Sequence, residues 1–259
     1  MSTVIYPSPI FGPIHSRRLG LSLGINLMPS DGKICTFDCI YCECGFNGDH
    51  RPHLHRPSRE EVRQKLEQQL IKMKGEGRLP DVLTFAGNGE PTAHPDFKAI
   101  IEDTIQLRNQ YCPEARVSVL SNATLAGKPG VREALLLVDN NILKLDTVNP
   151  EYIRRVNAPV GHYDVNEIIE ALKSYHGHVI IQTMFMKGRD MHGVSVDNTG
   201  DEYVAPWLEA VKAIAPQCVM VYTIDRETPD HALLKATHEE LDGIVARVKA
   251  CGIPASASY

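Results

Sequence analysis

The chain has 259 residues, of which 43% are hydrophobic and 23% charged, with a net charge of −5. That length accommodates one large α/β domain or two small ones, and the mildly acidic balance excludes a strongly basic nucleic-acid-binding domain. No apolar run approaches the roughly 20 residues of a membrane span, the N-terminus lacks the charged and apolar regions of a signal peptide, and seven cysteines, an odd number, argue against a secreted disulfide framework, so the expected setting is the cytoplasm.

In chain order, the stretch from Phe11 to Asn26 carries paired Arg17 and Arg18 before a glycine-spaced apolar run, the pattern of an edge strand guarded by charge. Leu23 to Leu27 is the first predicted strand. A helix is predicted from Ser58 to about Lys74, with Ser58 as N-cap and Glu61 completing a capping box. Asp81 to Ala86 reads as a buried strand. Pro95 to Gln110 places Phe97, Ile100, Ile101, Ile105 and Leu107 near helical spacing. A strand at Arg116–Leu120, a helix at Val131–Val138 and a strand at Asn141–Asp146 follow. Two helical pieces come next, Pro150–Arg155 and Asp164–Tyr175, the second capped by Asp164. The strand Val179–Met184 leads into a long loop, then a helix at Tyr203–Ile214, a strand at Cys218–Thr223 and a helix at Thr237–Ala250. Six strands alternating with helices predict a parallel sheet with right-handed crossovers, either doubly wound or curled toward a barrel.

The chemistry-bearing feature is Cys35-Thr-Phe-Asp-Cys39-Ile-Tyr41-Cys42, spaced C-x3-C-x2-C. Three thiolates on one tight loop can hold three irons of a [4Fe–4S] cluster, leaving the fourth iron open to a small molecule. An open position suits catalysis, whereas a structural site closes its shell. Cys44 is either a fourth ligand, making a zinc knuckle, or a free thiol beside a cluster. Cys112, Cys218 and Cys251 are scattered and are expected to be buried or unreactive. The cationic segment His50–Arg59 either grips a phosphate or carboxylate or is a solvated loop.

Parallel α/β folds gather their chemistry at the C-terminal strand ends, and polar motifs fall there. Gly87-Asn88-Gly89-Glu90 offers two glycines that let backbone approach a ligand and a carboxylate suited to an amine; the bland alternative is a glycine turn. Ser121 and Asn122 end the third strand. Asp146 ends the fourth, as an acceptor for hydroxyls or as a turn residue. Gln182 interrupts an apolar strand, pointing into the mouth or capping an edge. Tyr222, Ile224 and Arg226 follow the sixth strand, with Arg226 placed to meet an anionic substrate. The Gly- and Asp-rich run Lys187–Glu202 is expected to act as a lid.

The cysteine spacing and Tyr41 resemble the radical S-adenosylmethionine (SAM) superfamily. Ser-Arg-Arg-Leu-Gly-x-Ser-Leu-Gly, Gly-Asn-Gly-Glu-Pro-Thr-x-His-Pro-Asp-Phe, Ser-Asn-Ala-Thr-Leu, Leu-Lys-Leu-Asp, Gln-Thr-Met-Phe and Val-Tyr-Thr-Ile-Asp-Arg all occur in order. Together they are similar to compact radical SAM proteins labelled wyosine-synthase-like or methylthiotransferase-related, over nearly the whole chain. The resemblance implies an α/β fold, a partial (β/α)6 TIM-like barrel. It implies a [4Fe–4S] cluster on Cys35, Cys39 and Cys42. It implies SAM held at its amino end by Gly87, Asn88, Gly89 and Glu90, at its carboxylate and ribose by Ser121, Asn122 and Asp146, and at its adenine by Tyr41, Tyr222 and Ile224. Arg226 and Gln182 are the substrate-side candidates. The implied activity is reductive cleavage of SAM to a 5′-deoxyadenosyl radical that takes hydrogen from a tRNA, peptide or small metabolite. The implied reductant is a donor such as flavodoxin or ferredoxin. Asn88 departs from the family's Gly-Gly-Glu pattern, and Ala123 stands where related enzymes often have glycine. No second cluster motif or RNA-binding domain is apparent, so residues 1–259 are expected to form a single domain. Two other classes stay open: an activase or peptide modifier acting on a protein partner, and a non-catalytic iron–sulfur or zinc-binding protein.

Overall fold

The computed structural model describes residues 3–16, 20–49 and 51–259. Among them run strands β1 (Ile10–Ser16), β2 (Gly20–Ile25), β3 (Val82–Phe85), β4 (Arg116–Ser121), β5 (Asn140–Lys144), β6 (Ile180–Met184), β7 (Met186–Gly188), β8 (Cys218–Tyr222), β9 (Leu233–Lys235) and β10 (Ala255–Ser258). Eight of these form one curled sheet in the order β1-β2-β3-β4-β5-β6-β8-β10. β1 pairs antiparallel with β2, and every later neighbour in that sheet is parallel. The arrangement is a half-barrel. The crossovers are α1 (Arg59–Gly75), α2 (Phe97–Tyr111), α3 (Pro129–Leu135), the pair α4 (Pro150–Val156) and α5 (Val165–Lys173), α6 (Asp201–Ile214) and α7 (His238–Ala250).

Strands buried on both faces need apolar residues throughout, and all four residues of β3 are buried. Each helix needs only one apolar stripe. α1 supplies Val62, Leu66, Leu70 and Met73, and its start is set by the Ser58–Glu61 capping box that the sequence predicts. The main core lies between sheet and helices, with Leu23, Ile25, Leu83, Phe85, Val117, Val119, Leu143, Ile181, Val219 and Val221 at its centre. A second apolar cluster occupies the mouth, where Phe37, Cys39, Ile40 and Tyr41 meet Tyr152, Val156, Met184, Met186, Val196, Ile224 and Leu233.

The six predicted strands are present and parallel. A seventh parallel strand, β10, is added because α7 returns the chain to the free edge of β8, whose backbone groups then find partners. Its Ala-Ser-Ala-Ser sequence has no apolar run to announce it. The predicted loop after β6 also contains structure: β7 pairs antiparallel with β9. β1 is one of the sheet's two outer strands; Arg17 and Arg18, read as its charged guard, lie outside the described residues. Among the described residues no helix is long and apolar enough to cross a membrane.

Candidate functional site

The cysteine loop follows β2 and is held by backbone bonds on two sides. On one, Ile34 N donates to Asn88 O at 3.0 Å and Glu90 N donates to Ile34 O at 3.2 Å. On the other, Asp38 N donates to Asn157 O at 2.9 Å, Ile40 N to Val156 O at 3.0 Å and Val160 N to Thr36 O at 2.8 Å. Asn47 braces the loop from within, accepting from Cys35 N at 3.1 Å and donating to Cys35 O and Phe37 O at 3.3 and 3.1 Å.

This docking explains the glycine motif differently from the sequence. Gly89 has φ +144°, and a Cβ there would stand 1.8 Å from Ile34 O. The glycine is required by the approach of the cysteine loop itself. The Asn88 side chain turns toward the N-terminal segment. It is buried, donates to Tyr6 O at 2.8 Å and Pro29 O at 2.9 Å and accepts from Tyr6 N at 2.7 Å. It fastens the N-terminal segment, so its amide is committed there rather than to a ligand amine.

All seven cysteines are free thiols. Cys35, Cys39 and Cys42 all face the apolar mouth cluster. Burial pushes the Cys35 thiol up and holds Cys39 near 11. Cys42 moves down, chiefly because Cys44 hydrogen-bonds it and also because Lys33 lies beside it. Cys44 moves up for the same reason and also donates to Gly87 O at 3.5 Å. Among the described residues no three His, Cys, Asp or Glu side chains converge on the position of a single metal ion. Thiolates that each take a different iron of a cluster need not converge, so the donor set fits a cluster.

Behind Cys35 lie the ends of β3 and β4. Glu90 is buried; its carboxylate accepts from Thr92 N at 3.0 Å, Thr92 Oγ1 at 2.6 Å and Asn122 N at 2.7 Å. Burial raises its pKa against those bonds. Asn122 Nδ2 donates to Thr36 Oγ1 at 2.8 Å and to Cys35 Sγ at 3.6 Å. Ser121 Oγ accepts from Ala123 N at 3.0 Å. Ala123 sits at φ +67°, the left-handed region, which is the physical reason a glycine suits that position.

The floor of the mouth is a charged network. Asp146 accepts from the Tyr41 hydroxyl, from Asn157 Nδ2 at 2.8 Å and from Met184 N at 2.9 Å. Lys144 Nζ donates to the Tyr222 hydroxyl at 2.6 Å and stands 3.8 Å from Asp146 Oδ1. It also lies 5.0 Å from the centre of the Tyr41 ring and 5.2 Å from that of Tyr222. Burial pushes the Lys144 pKa down, but Asp146, Tyr222 and Cys39 together raise it above the ordinary lysine value. The structure thus joins Tyr41, Asp146 and Tyr222 in one network with Lys144 and Asn157, neither of which is a candidate from the sequence. The signal for Lys144 was a lysine inside the apolar run Ile-Leu-Lys-Leu; nothing marked Asn157. Gln182 is buried on β6 in register with Lys144. Ile224 belongs to the mouth cluster.

Other expectations change. Arg226 is paired: Nη1 donates to Glu43 Oε2 and the Tyr6 hydroxyl, each at 2.7 Å. Glu43, next to the third cysteine, neutralises the charge expected to meet an anionic substrate. In the cationic segment, Arg59 makes a two-pronged bond to Asp103 at 2.6 and 2.8 Å, and Arg56 donates to Ala93 O at 3.1 Å. His50 lies outside the described residues. The expected lid is pinned: Asp190 accepts from His192 N and Val194 N, and Asn198 bridges Met186 N and Met184 O, all at 2.9 Å. Asp201 and Glu202 belong to α6. Cys112 is buried and Cys218 half-buried, whereas Cys251 is exposed because α7 ends at the surface there.

Half-barrel, three-thiol loop and polar strand ends define an α/β protein built around a thiolate-held centre. Residues 30–195 match the radical SAM superfamily, and the chain belongs to that family. With the family come its cofactors, a [4Fe–4S] cluster and SAM. Over 238 residues the chain is 29% identical to a Brachyspira hyodysenteriae protein named GTPase Obg, covering 90% of this chain and 32% of that one. It is 32% identical over 183 residues to a UPF0026 protein of Methanocaldococcus jannaschii, covering 68% of this chain and 53% of the relative. The chain thus spans from a third to about half the length of these relatives. A radical SAM methyltransferase from Sphaerobacter thermophilus shares the fold with a TM-score of 0.66 at 15% identity, over 92% of this chain and 66% of the other. SuiB of Streptococcus suis, solved with SAM bound, superposes with a TM-score of 0.65 at 13% identity, over 91% and 50%.

Proposed function

We propose that the chain is a radical SAM enzyme that acts as one domain over residues 1–259, with the cluster on Cys35, Cys39 and Cys42 and SAM in the mouth beside them. When bound, the two cofactors supply one chemistry: one-electron cleavage of SAM to methionine and a 5′-deoxyadenosyl radical, which takes a hydrogen atom from a substrate. The protein's part is to hold, orient and exclude water. The single observation that carries the reading is the meeting of the docked three-thiol loop with the network of buried Asp146 and Tyr41 and half-buried Lys144 and Tyr222. A cation and a carboxylate on one apolar floor match a ligand that carries both charges.

In this reading Lys144 receives the carboxylate of SAM, Asp146 and Asn157 the ribose hydroxyls, and Tyr41, Tyr222 and Ile224 the adenine. Gly87 and Glu90 face the amino end, where the Glu90 carboxylate is the acidic group. Ser121 and Asn122 hold the wall behind Cys35. Gln182 borders the substrate side. Free cysteines fit a reducing cytoplasm, and a flavodoxin or ferredoxin is the electron donor. The GTPase in the Brachyspira protein's name is not carried over, because this chain has no G-x4-G-K-[S/T] phosphate loop.

The test is anaerobic reconstitution with iron and sulfide, then reduction with SAM present, following 5′-deoxyadenosine by chromatography. Wild type produces it and Cys39→Ala does not; production by Cys39→Ala overturns the assignment. The same assay screens tRNA, peptides and small metabolites by the increase each causes.

A further inference from the structure

Lys33 is a buried charge that the reading above leaves unused. Its side chain is 1% exposed, and Nζ donates to Gly45 O at 2.6 Å and stands 3.3 Å from Asp38 Oδ1. Gly45 N in turn donates to Cys42 O at 2.9 Å. Gly45 closes the loop after the third cysteine, and Asp38 lies between the first two. The ammonium is therefore enclosed by the segment that carries all three thiols. Asp38 is the more solvated partner, 28% exposed, and shares Oδ1 with Asn47 N at 2.7 Å. Burying an ammonium is costly unless negative charge faces it. A lysine's long stem reaches the surface easily elsewhere, so its enclosure here asks for a reason.

We propose that Lys33 is a positioning residue that raises the reduction potential of the cluster held by the three thiolates; this rests on the cluster reading above. In the reducing step one electron passes from a low-potential one-electron donor, a reduced flavodoxin or ferredoxin, to the cluster. No bond or proton is exchanged, and the cluster with its ligands becomes more negative by one charge. A fixed cation enclosed in low-dielectric surroundings favours that more negative state. Asp38, on the same loop, opposes it.

The experiment is a redox titration of the reconstituted protein, read by the electron paramagnetic resonance signal of the reduced cluster, with iron and sulfide content measured beside it. Lys33→Arg keeps the charge, and Lys33→Gln keeps a donor for Gly45 O without it. Lys33→Arg is expected to stay within the spread of repeat wild-type titrations, and Lys33→Gln to shift to more negative potential at unchanged iron content. A Lys33→Gln protein that holds its cluster at the wild-type potential overturns the proposal. Where Lys33→Gln fails to hold a cluster, Asp38→Asn decides, since it keeps Oδ1 as an acceptor and removes the opposing charge. Its potential is expected to rise, and an unchanged or lower value overturns the proposal. A wild-type protein with no iron–sulfur spectrum overturns the cluster reading itself and this inference with it, so the two failures are distinguishable.

Discussion

Replacing Gly89 by alanine tests whether the glycine motif serves the cysteine loop. A Cβ at this position falls 1.8 Å from Ile34 O, so Ile34 must retreat by about 1.2 Å to regain even a 3.0 Å contact. Retreat breaks two backbone bonds, Ile34 N to Asn88 O and Glu90 N to Ile34 O, each worth about 1 kcal/mol. The backbone at φ +144° adds about 1–3 kcal/mol of strain for a residue with a side chain. The sum is about 3–5 kcal/mol, taken at the residue adjoining Cys35. Gly77→Ala is the control, with φ +68° but open space around the added carbon; there only the left-handed strain of about 1–2 kcal/mol remains. The assay is anaerobic urea denaturation of the cluster-free chain under reducing conditions, paired with iron bound per chain after reconstitution. Gly89→Ala is expected to lose the larger stability and most of its iron, and Gly77→Ala to retain iron. Equal stability losses in the two variants would refute the reasoning.

Lys144→Met removes the half-buried cation on the floor of the mouth, and the reconstituted protein is expected to bind SAM at least about tenfold more weakly, the worth of a charge-assisted bond; equilibrium dialysis checks this, and undiminished binding would place SAM elsewhere. Asp103→Asn unpicks the clasp between α1 and α2. The bond from Arg59, first, and Arg63 depress the Asp103 pKa in the folded chain, so the stability it contributes is present above the unfolded value of about 3.9 and is lost as pH falls through the folded one. The variant should be less stable than wild type at pH 7, with the gap closing below pH 4 in denaturation curves; a gap that is independent of pH contradicts the ion-pair account. Cluster ligands must be deprotonated, and burial holds Cys39 near 11. Iron uptake at fixed iron and sulfide is therefore expected to rise from pH 7 to pH 9, and a flat profile argues against thiolate formation as a barrier to assembly.

Much of the architecture is written in features that act along the chain. The Ser58–Glu61 box starts α1 because its two bonds span three residues. The C-x3-C-x2-C spacing places three thiols on one loop whatever surrounds it. Alternation of apolar runs with amphipathic stretches implies parallel strands, and with them a mouth at the strand ends where Asp146, Tyr222 and Glu90 were looked for. The partners of those groups were not legible, because they arrive from far away in sequence. Asn88 is committed to Tyr6, 82 positions away, and Arg226 to Glu43, 183 away. Neither pairing leaves a periodic trace.

By itself the amino-acid order determined the six alternating strands with their helices, the thiol loop and the strand ends that carry polar residues, but not β7, β9 or β10. Only the tertiary structure decided which charges are buried and what faces them. Lys33 looks like an ordinary surface residue until a loop closes over it, and Lys144, marked in sequence only as a lysine in an apolar run, meets Tyr222 only when β5, β6 and β8 lie side by side. Gly89 looks like a ligand contact until Ile34 lies against it. Local hydrogen bonding and apolar periodicity act within a few residues, whereas charge pairing, burial and close backbone approach depend on distances that exist only once the sheet has curled.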